Sequence, residues 1–272
     1  MNFESMTTAI ASASATPVMG QKLSIITVCL NEVESIRKTA DSVARQTCRN
    51  FEWIVIDGGS KDGTLEILRE YQDRITHLIS GPDGGVYNAM NKGAGLASGE
   101  WFLFLNGGDR LATAKVIEGI LPLLGEQGDD IVVGEFLCVW PDERPPRHRS
   151  YENHLDLHHF YRRSVNHQSA FIGRKVFERF GPYDVSFKLL ADHDFFVRAV
   201  LGGILFRYTP SLIAEYDMTG ISAEMKRSKS MLRERKRVRK LYPLNYRIRR
   251  FCSDVVVACQ NCLKCGKIGR HI

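Results

Sequence analysis

Acids and amides in this chain fall at the ends of apolar runs, where a parallel α/β sheet keeps its chemistry. Ser24–Leu30 leads into Asn31-Glu32, and Phe51–Ile56 into Asp57-Gly58-Gly59-Ser60-Lys61-Asp62. Trp101–Leu105 leads into Asn106-Gly107-Gly108-Asp109. Asp83 sits in a Gly-Pro-Asp-Gly-Gly turn, and Asp192 and Asp194 open a helical pattern over Ala191–Leu201. His167 precedes that helix in Asn166-His167-Gln168-Ser169. Carboxylates so placed accept hydrogen bonds from a nucleotide, take a proton from an attacking hydroxyl, or hold a hard cation against a diphosphate.

The elements that must position them follow from periodicity. The three apolar runs have the length and the β-branched or aromatic content of buried strands. Helical patterns over Val33–Gln46, Thr64–Tyr71, Val86–Leu96 and Ala112–Leu124 separate or follow them. The strands are therefore predicted to be parallel, with ligands outside their carboxyl ends. Ser60 or Asp62 is the expected cap of the second helix. His77–Ser80, Ile131–Val139, Asn166–Ile172, Leu205–Tyr208 and Leu212–Tyr216 read as further strands, and Pro141–Arg149 as a polar turn. Each functional residue has a plainer competitor. Asp57 and Asp62 also suit turns and caps. Asp192 suits a helix N-cap and Asp194 a first-turn acid. Spacing alone leaves chemistry and capping both open for Asp192. A lone histidine is more often structural, and His167 competes with that reading.

Two nucleotide-binding classes are disfavoured. A dinucleotide fold needs G-x-G-x-x-G after strand one, where this chain has Leu30-Asn31-Glu32. Gly58 to Gly63 has the P-loop spacing, but Thr64 follows directly and the lysine is missing. The 272 residues suit one core with a small appendage. No apolar run is long enough to span a membrane. Residues 1–21 lack a secretory pattern and read as a disordered leader. Seven cysteines, with Cys29 and Cys138 in apolar strands, fit reduced thiols in the cytoplasm. Cys259, Cys262 and Cys265 lack the paired spacing of a zinc site.

In order and spacing, SIITVCLNE, IVIDGGSKDGT, GPDGGVYNAMNKGAGLASGEW, FLNGGD and LLADHDFFVRA resemble the family 2 glycosyltransferases of the GT-A fold. The likeness extends to the bacterial enzymes of exopolysaccharide, colanic-acid and lipopolysaccharide assembly and covers about residues 22–220. It implies an α/β GT-A fold with a mostly parallel central sheet. It also implies inverting transfer of a sugar from a nucleotide-diphosphate donor to a hydroxyl of a glycan or lipid-linked acceptor. Residue by residue, it implies donor contacts for Asn31, Glu32, Asp57, Asp83 and Asn106, and the general base for Asp192. It places Asp109 at the metal motif, implying Mg²⁺ or Mn²⁺, and His167 is a candidate for the donor diphosphate or the metal. Gly58 stands where the family carries a second carboxylate, and Ala191 where it carries a glutamate.

Residues 221–272 form a basic extension: twelve Lys or Arg and one Glu fall within 226–250. Met231, Leu232, Val238 and Leu241 fall close to one helical face. Two readings stand: a helix lying on the anionic inner face of the plasma membrane, or a helix packed on the domain with its charges in water. Nucleic acid is disfavoured, since only Tyr242 and Tyr246 are placed to stack. A nucleotidyltransferase is the competing enzyme, but it needs a glycine-rich phosphate loop with a basic residue.

Overall fold

A computed structural model describes residues 23–126, 128–151, 155–219, 228–243 and 246. The leader and the C-terminal cysteines lie outside the described residues. Strands β1 (Leu23–Cys29), β2 (Phe51–Asp57), β3 (His77–Ser80) and β4 (Trp101–Phe104) lie in the order β3-β2-β1-β4, all parallel. Helices α1 (Ile36–Ala44), α2 (Thr64–Arg69) and α3 (Val86–Leu96) make the crossovers. Alternate residues of β1 point to opposite faces: Ile26 and Val28 into one core, Leu23 and Ile25 into the other. Gly93 lets α3 settle on β1, since a Cβ there would lie 2.4 Å from Ile26 Cγ2.

The sheet continues with β5 (Arg110–Leu111), β6 (Ile131–Val139), β7 (Arg147–Arg149), β8 (Ala170–Gly173) and β9 (Phe206–Asp217). Here the parallel expectation fails in part, because β8 runs antiparallel to both β4 and β6. β7 and β8 both run antiparallel to β6, and α5 (Leu157–Arg162) lies in the connection between them. As a result β8 starts at the edge where β1, β2 and β4 finish. The stretch Asn166–Ile172 is not one strand: His167–Ser169 is a 3₁₀ turn at that edge. The two predicted strands near the C-terminus are one strand, β9, broken in register opposite Glu135. Pro210, which has no N–H to give the ladder, made it read as two. Part of the Pro141–Arg149 turn is β7, paired to β6. The predicted Ala112–Leu124 helix is shorter, α4 (Val116–Ile120) followed by a 3₁₀ turn. Neither Ser60 nor Asp62 is the N-cap of α2, a place taken by Gly63, although the Asp62 carboxylate accepts from the Thr64 N–H.

Helices α6 (Arg174–Phe180) and α7 (Ala191–Leu201) cover one face. The last described helix, α8 (Lys229–Arg239), packs against this layer. Ser228 caps it by accepting from the Met231 N–H. Its inward face is Met231, Glu234, Val238 and then Tyr242, all buried, whereas Leu232 and Leu241 face solvent. The buried face differs from the expected stripe because an acid, Glu234, occupies it. Glu234 earns that place: its carboxylate accepts from the backbone N–H groups of Lys188, Leu189 and Leu190 at 2.9, 3.0 and 3.0 Å. Those residues lead directly into α7. Among the described residues, no helix is long and apolar enough to cross a membrane.

Glu234→Ala strands these three donors. It should lower the unfolding free energy by about 3 kcal/mol, read from the urea midpoint. Leu232→Ala, on the solvent side of the same helix, should change it by less than about 0.5 kcal/mol. Equal losses at the two positions would show that Glu234 does not anchor the α7 entry.

Candidate active site

The loops after β1 and β2 are laced together by the residues that the sequence picked out. Asn31 N–H donates to Ser60 Oγ at 2.7 Å, and Lys61 N–H to Asn31 Oδ1 at 3.0 Å. Glu32 N–H donates to Thr64 Oγ1 at 2.7 Å, and Val33 N–H to Asp62 Oδ2 at 2.9 Å. Asn31 has a φ of 54°, a left-handed conformation that asparagine tolerates. Asp57 is fully buried and turned inward, accepting from Gly59 N–H, Ser60 N–H, Ser60 Oγ and Ser80 Oγ. Asn31 and Asp57 therefore build the floor of the site and do not line its cleft. Gly58 leaves room for Asp83, since a Cβ there would lie 2.9 Å from Asp83 Oδ2. Asp83 itself is oriented by the Gly85 N–H.

The cleft, about 1670 Å³, brings together Glu32, Asp83, Asn106, Asp109, His167 and Asp192. Its centre is a hydrogen-bonded line. His167 Nδ1 lies 3.0 Å from Asp192 Oδ2, and His167 Nε2 lies 3.2 Å from Asn106 Nδ2. With the Asn106 amide donating to Nε2, the ring proton sits on Nδ1 and is given to Asp192. Tyr87 Oη donates to Asp192 Oδ1 at 3.2 Å, and the His193 N–H donates to the same oxygen at 2.8 Å. Burial pushes the Asp192 carboxyl up. The hydrogen bond from His167, with that from the His193 N–H, outweighs it and holds the group below the usual carboxylate range. Burial and the Asp192 charge push Tyr87 well up, so it stays a neutral donor. Asp194 is spent on Arg198, 2.8 Å away on the same helix.

Asp109 is buried beside this line. Its Oδ1 accepts from the Asp217 N–H at 2.9 Å and its Oδ2 from the Gln168 amide. Burial, against those two hydrogen bonds, leaves its carboxyl pushed up to about 7. Glu32 is also raised, by burial first and then by the charges of Asp217 and Asp62, with the Ser35 hydroxyl opposing them. Two buried amide oxygens here, Asn106 Oδ1 and Gln168 Oε1, have no partner. Among the described residues no three His, Cys, Asp or Glu side chains converge as a metal group. The donor set is instead mixed oxygen, carboxylate and amide, which suits a hard cation or hydroxyl donors.

Sequence reasoning missed four residues. Asp217 ends β9 as the other acids end their strands, one residue beyond the expected Leu212–Tyr216. Gln168 and Tyr87 lie inside quoted motifs without standing out. Glu234, the one acid in a basic run, carried a signal that was passed over.

Residues 24–180 match the profile of the family described as Glycosyl transferase family 2. A PGL/p-HBAD biosynthesis glycosyltransferase of Mycobacterium bovis is 34% identical over 203 residues, 72% of this chain and 77% of its own. An uncharacterized glycosyltransferase of Mycobacterium tuberculosis is 31% identical over 208 residues, 74% of this chain and 77% of its own. Among solved structures, S. aureus TarS shares the fold with a TM-score of 0.61 at 20% identity, over 72% of this chain. This chain spans 36% of that TarS chain. A TarS fragment has also been solved with UDP and with UDP-GlcNAc. The mannosyltransferase PcManGT of Pyrobaculum calidifontis, in complex with GDP-Man and Mn²⁺, gives a TM-score of 0.55 at 18% identity, over 79% of this chain and 60% of that one.

The raised Asp109 makes a pH prediction. Its folded pKa of about 7 lies above the unfolded value, so between the two the folded state binds the extra proton. Stability from this group is present at low pH and is lost as pH rises through 7. Asp109→Asn does not titrate, and its amide can donate to the orphaned Gln168 Oε1 once that side chain turns over. In metal-free buffer the wild type should lose about 2 kcal/mol relative to Asp109→Asn between pH 5 and pH 8. Urea unfolding at the two pH values measures it, and parallel pH dependence in the two proteins would contradict the buried titration.

Proposed function

The chain belongs to glycosyl transferase family 2 and is a glycosyltransferase; on that premise we propose an inverting transfer from a nucleotide-diphosphate sugar to an acceptor hydroxyl. The acceptor is a growing glycan or a lipid-linked sugar of surface polysaccharide. The observation that carries this reading is Asp192, an ionised carboxylate at the head of α7, fixed on three sides and opening on the cleft. The acceptor hydroxyl gives its proton to Asp192 as its oxygen attacks the anomeric carbon from the face opposite the leaving group. The bond to the nucleotide diphosphate breaks in the same displacement, and the configuration inverts. His167 positions Asp192 and keeps it charged, and Tyr87 fixes its second oxygen. The nucleotides bound by TarS and PcManGT support a nucleotide-sugar donor, seated among Glu32, Asp83 and Asn106. Asp109, with the amide oxygens of Asn106 and Gln168, fits Mg²⁺ or Mn²⁺. When bound, such a cation neutralises the charge developing on the leaving diphosphate. Any hold on an anionic membrane face rests on the outward cations of α8, since Met231 and Val238 are already buried. Co-sedimentation with anionic vesicles should then disappear at high salt.

Screening nucleotide sugars for binding identifies the donor. With that donor, Asp192→Asn should cut turnover by about 10²–10⁴ while donor affinity stays within about twofold. Chelation should abolish activity, Mg²⁺ or Mn²⁺ should restore it, and Asp109→Ala should blunt that response. Near-normal turnover in Asp192→Asn would reject the assignment of the base.

A further inference from the structure

The two halves of the cleft carry opposite charge. The donor half is acidic. The other wall takes Arg149 from β7, Arg162 and Arg163 from the end of α5, Lys188 from the entry to α7, and Arg235 from α8. Several arginines elsewhere are neutralised in place, Arg37 by Glu70, Arg110 by Glu215, Arg198 by Asp194 and Arg207 by Asp130. None of the five cleft cations forms an ion pair with a described carboxylate. Five like charges brought together from four parts of the chain repel one another, and the low-dielectric walls of a cleft concentrate their field. A solvated surface would have spread them. The buried hydroxyl of Ser164, on the same wall, has no partner either. The field of Arg235 reaches His193. His193, next to Asp192, is pushed down to about 4 by burial first, against the Asp192 charge, with Arg235, His159 and Arg239 adding to the fall.

We propose that this wall binds a phosphate or diphosphate group on the acceptor. Arginine forks and a free hydroxyl are the groups that grip phosphate oxygens. The central line sets the position: Asn106 stands at one end, and Asp192, where the acceptor hydroxyl must arrive, stands at the other and lines the same cleft as the cations. An acceptor whose phosphate is one sugar away from its reactive hydroxyl would span the two. The proposal rests on the transferase reading and names the substrate class that reading left open. Two sources share this chemistry, a lipid-linked sugar phosphate and a soluble one. Val185 and Leu190 continue the wall with apolar surface, so the two are separable by experiment.

The test is calorimetry on the full chain with Mg²⁺ and the donor site filled by the nucleoside diphosphate found in the donor screen. The probes are octyl phosphate and glucose 1-phosphate, each against its neutral partner, octyl glucoside and methyl glucoside. At least one phosphate should bind about tenfold or more tighter than its partner. Tighter binding of octyl phosphate points to a lipid source, and of glucose 1-phosphate to a soluble one. The double variant Arg162→Ala/Arg235→Ala, and separately Arg163→Glu, should lose the preference while keeping their melting temperature and nucleotide affinity. These side chains are exposed, so the fold should survive. Equal binding of charged and neutral probes, or an unchanged preference in the variants, would overturn the proposal. So would phosphate binding that vanishes once nucleotide is present, since the cations would then serve the donor. Failure to bind any nucleotide or nucleotide sugar would instead strike at the transferase reading, which the nucleotide arm measures separately.

Discussion

A carboxylate that must stay ionised while nearly out of water governs this structure. Burial alone would protonate Asp192 and remove the proton acceptor that the proposed mechanism requires. Three donors prevent that, and each depends on a different irregularity of the fold. His167 reaches it because β8 runs antiparallel and so begins, through a 3₁₀ turn, at the crevice edge of the sheet. Tyr87 reaches it from the first turn of α3, a helix that Gly93 lets down onto β1. The His193 N–H is aimed by the start of α7, and Glu234 on α8 fixes the chain just before that start. The last described helix is thereby tied to Asp192 through three backbone hydrogen bonds and the first turn of α7.

The acids of the donor half meet the same physics with a different outcome. Asp109 and Glu32 lack a cation and rely on N–H groups, an amide and a hydroxyl, so burial raises both. A raised acid is an unfinished interaction: it gains when a cation arrives, because binding both releases a proton and removes the repulsion. Two orphaned amide oxygens beside it are in the same condition. The far wall is the mirror case, cations without anions. The cleft is thus lined by charge of both signs, and on the proposed reading each is met by a substrate or ion of the opposite sign.

The sequence showed the parts of this that depend on local period. Acids after apolar runs located Glu32, Asp57, Asp109 and the parallel half of the sheet, and β3, α3, β6 and α7 have the predicted bounds. What it hid depends on partners far along the chain. That Asp57 turns inward is set by Ser80, 23 residues away. That Glu234 is buried is set by bare N–H groups more than 40 residues away, which have no side-chain signature. The short helices α5 and α6 have too few turns to show a period. The cations of the second wall were invisible as a group, since only the fold assembles them. The resemblance supplied the role of Asp192 that spacing alone left open between base and cap.

Gly58 shows how a departure from the family pattern is absorbed. A side chain at that position would place its Cβ 2.9 Å from Asp83 Oδ2, so the Asp83 carboxylate would have to move. The chain keeps one acid at this point of the cleft and takes it from the 81–85 turn. That turn then needs its own rigidity. It has it from the Gly85 N–H, which holds the Asp83 carboxylate, and from Gly84 and Gly85, whose positive φ angles other residues rarely adopt. The glycine after Asp57 and the glycines after Asp83 are one adaptation: the first clears the space, and the second pair aims the acid into it.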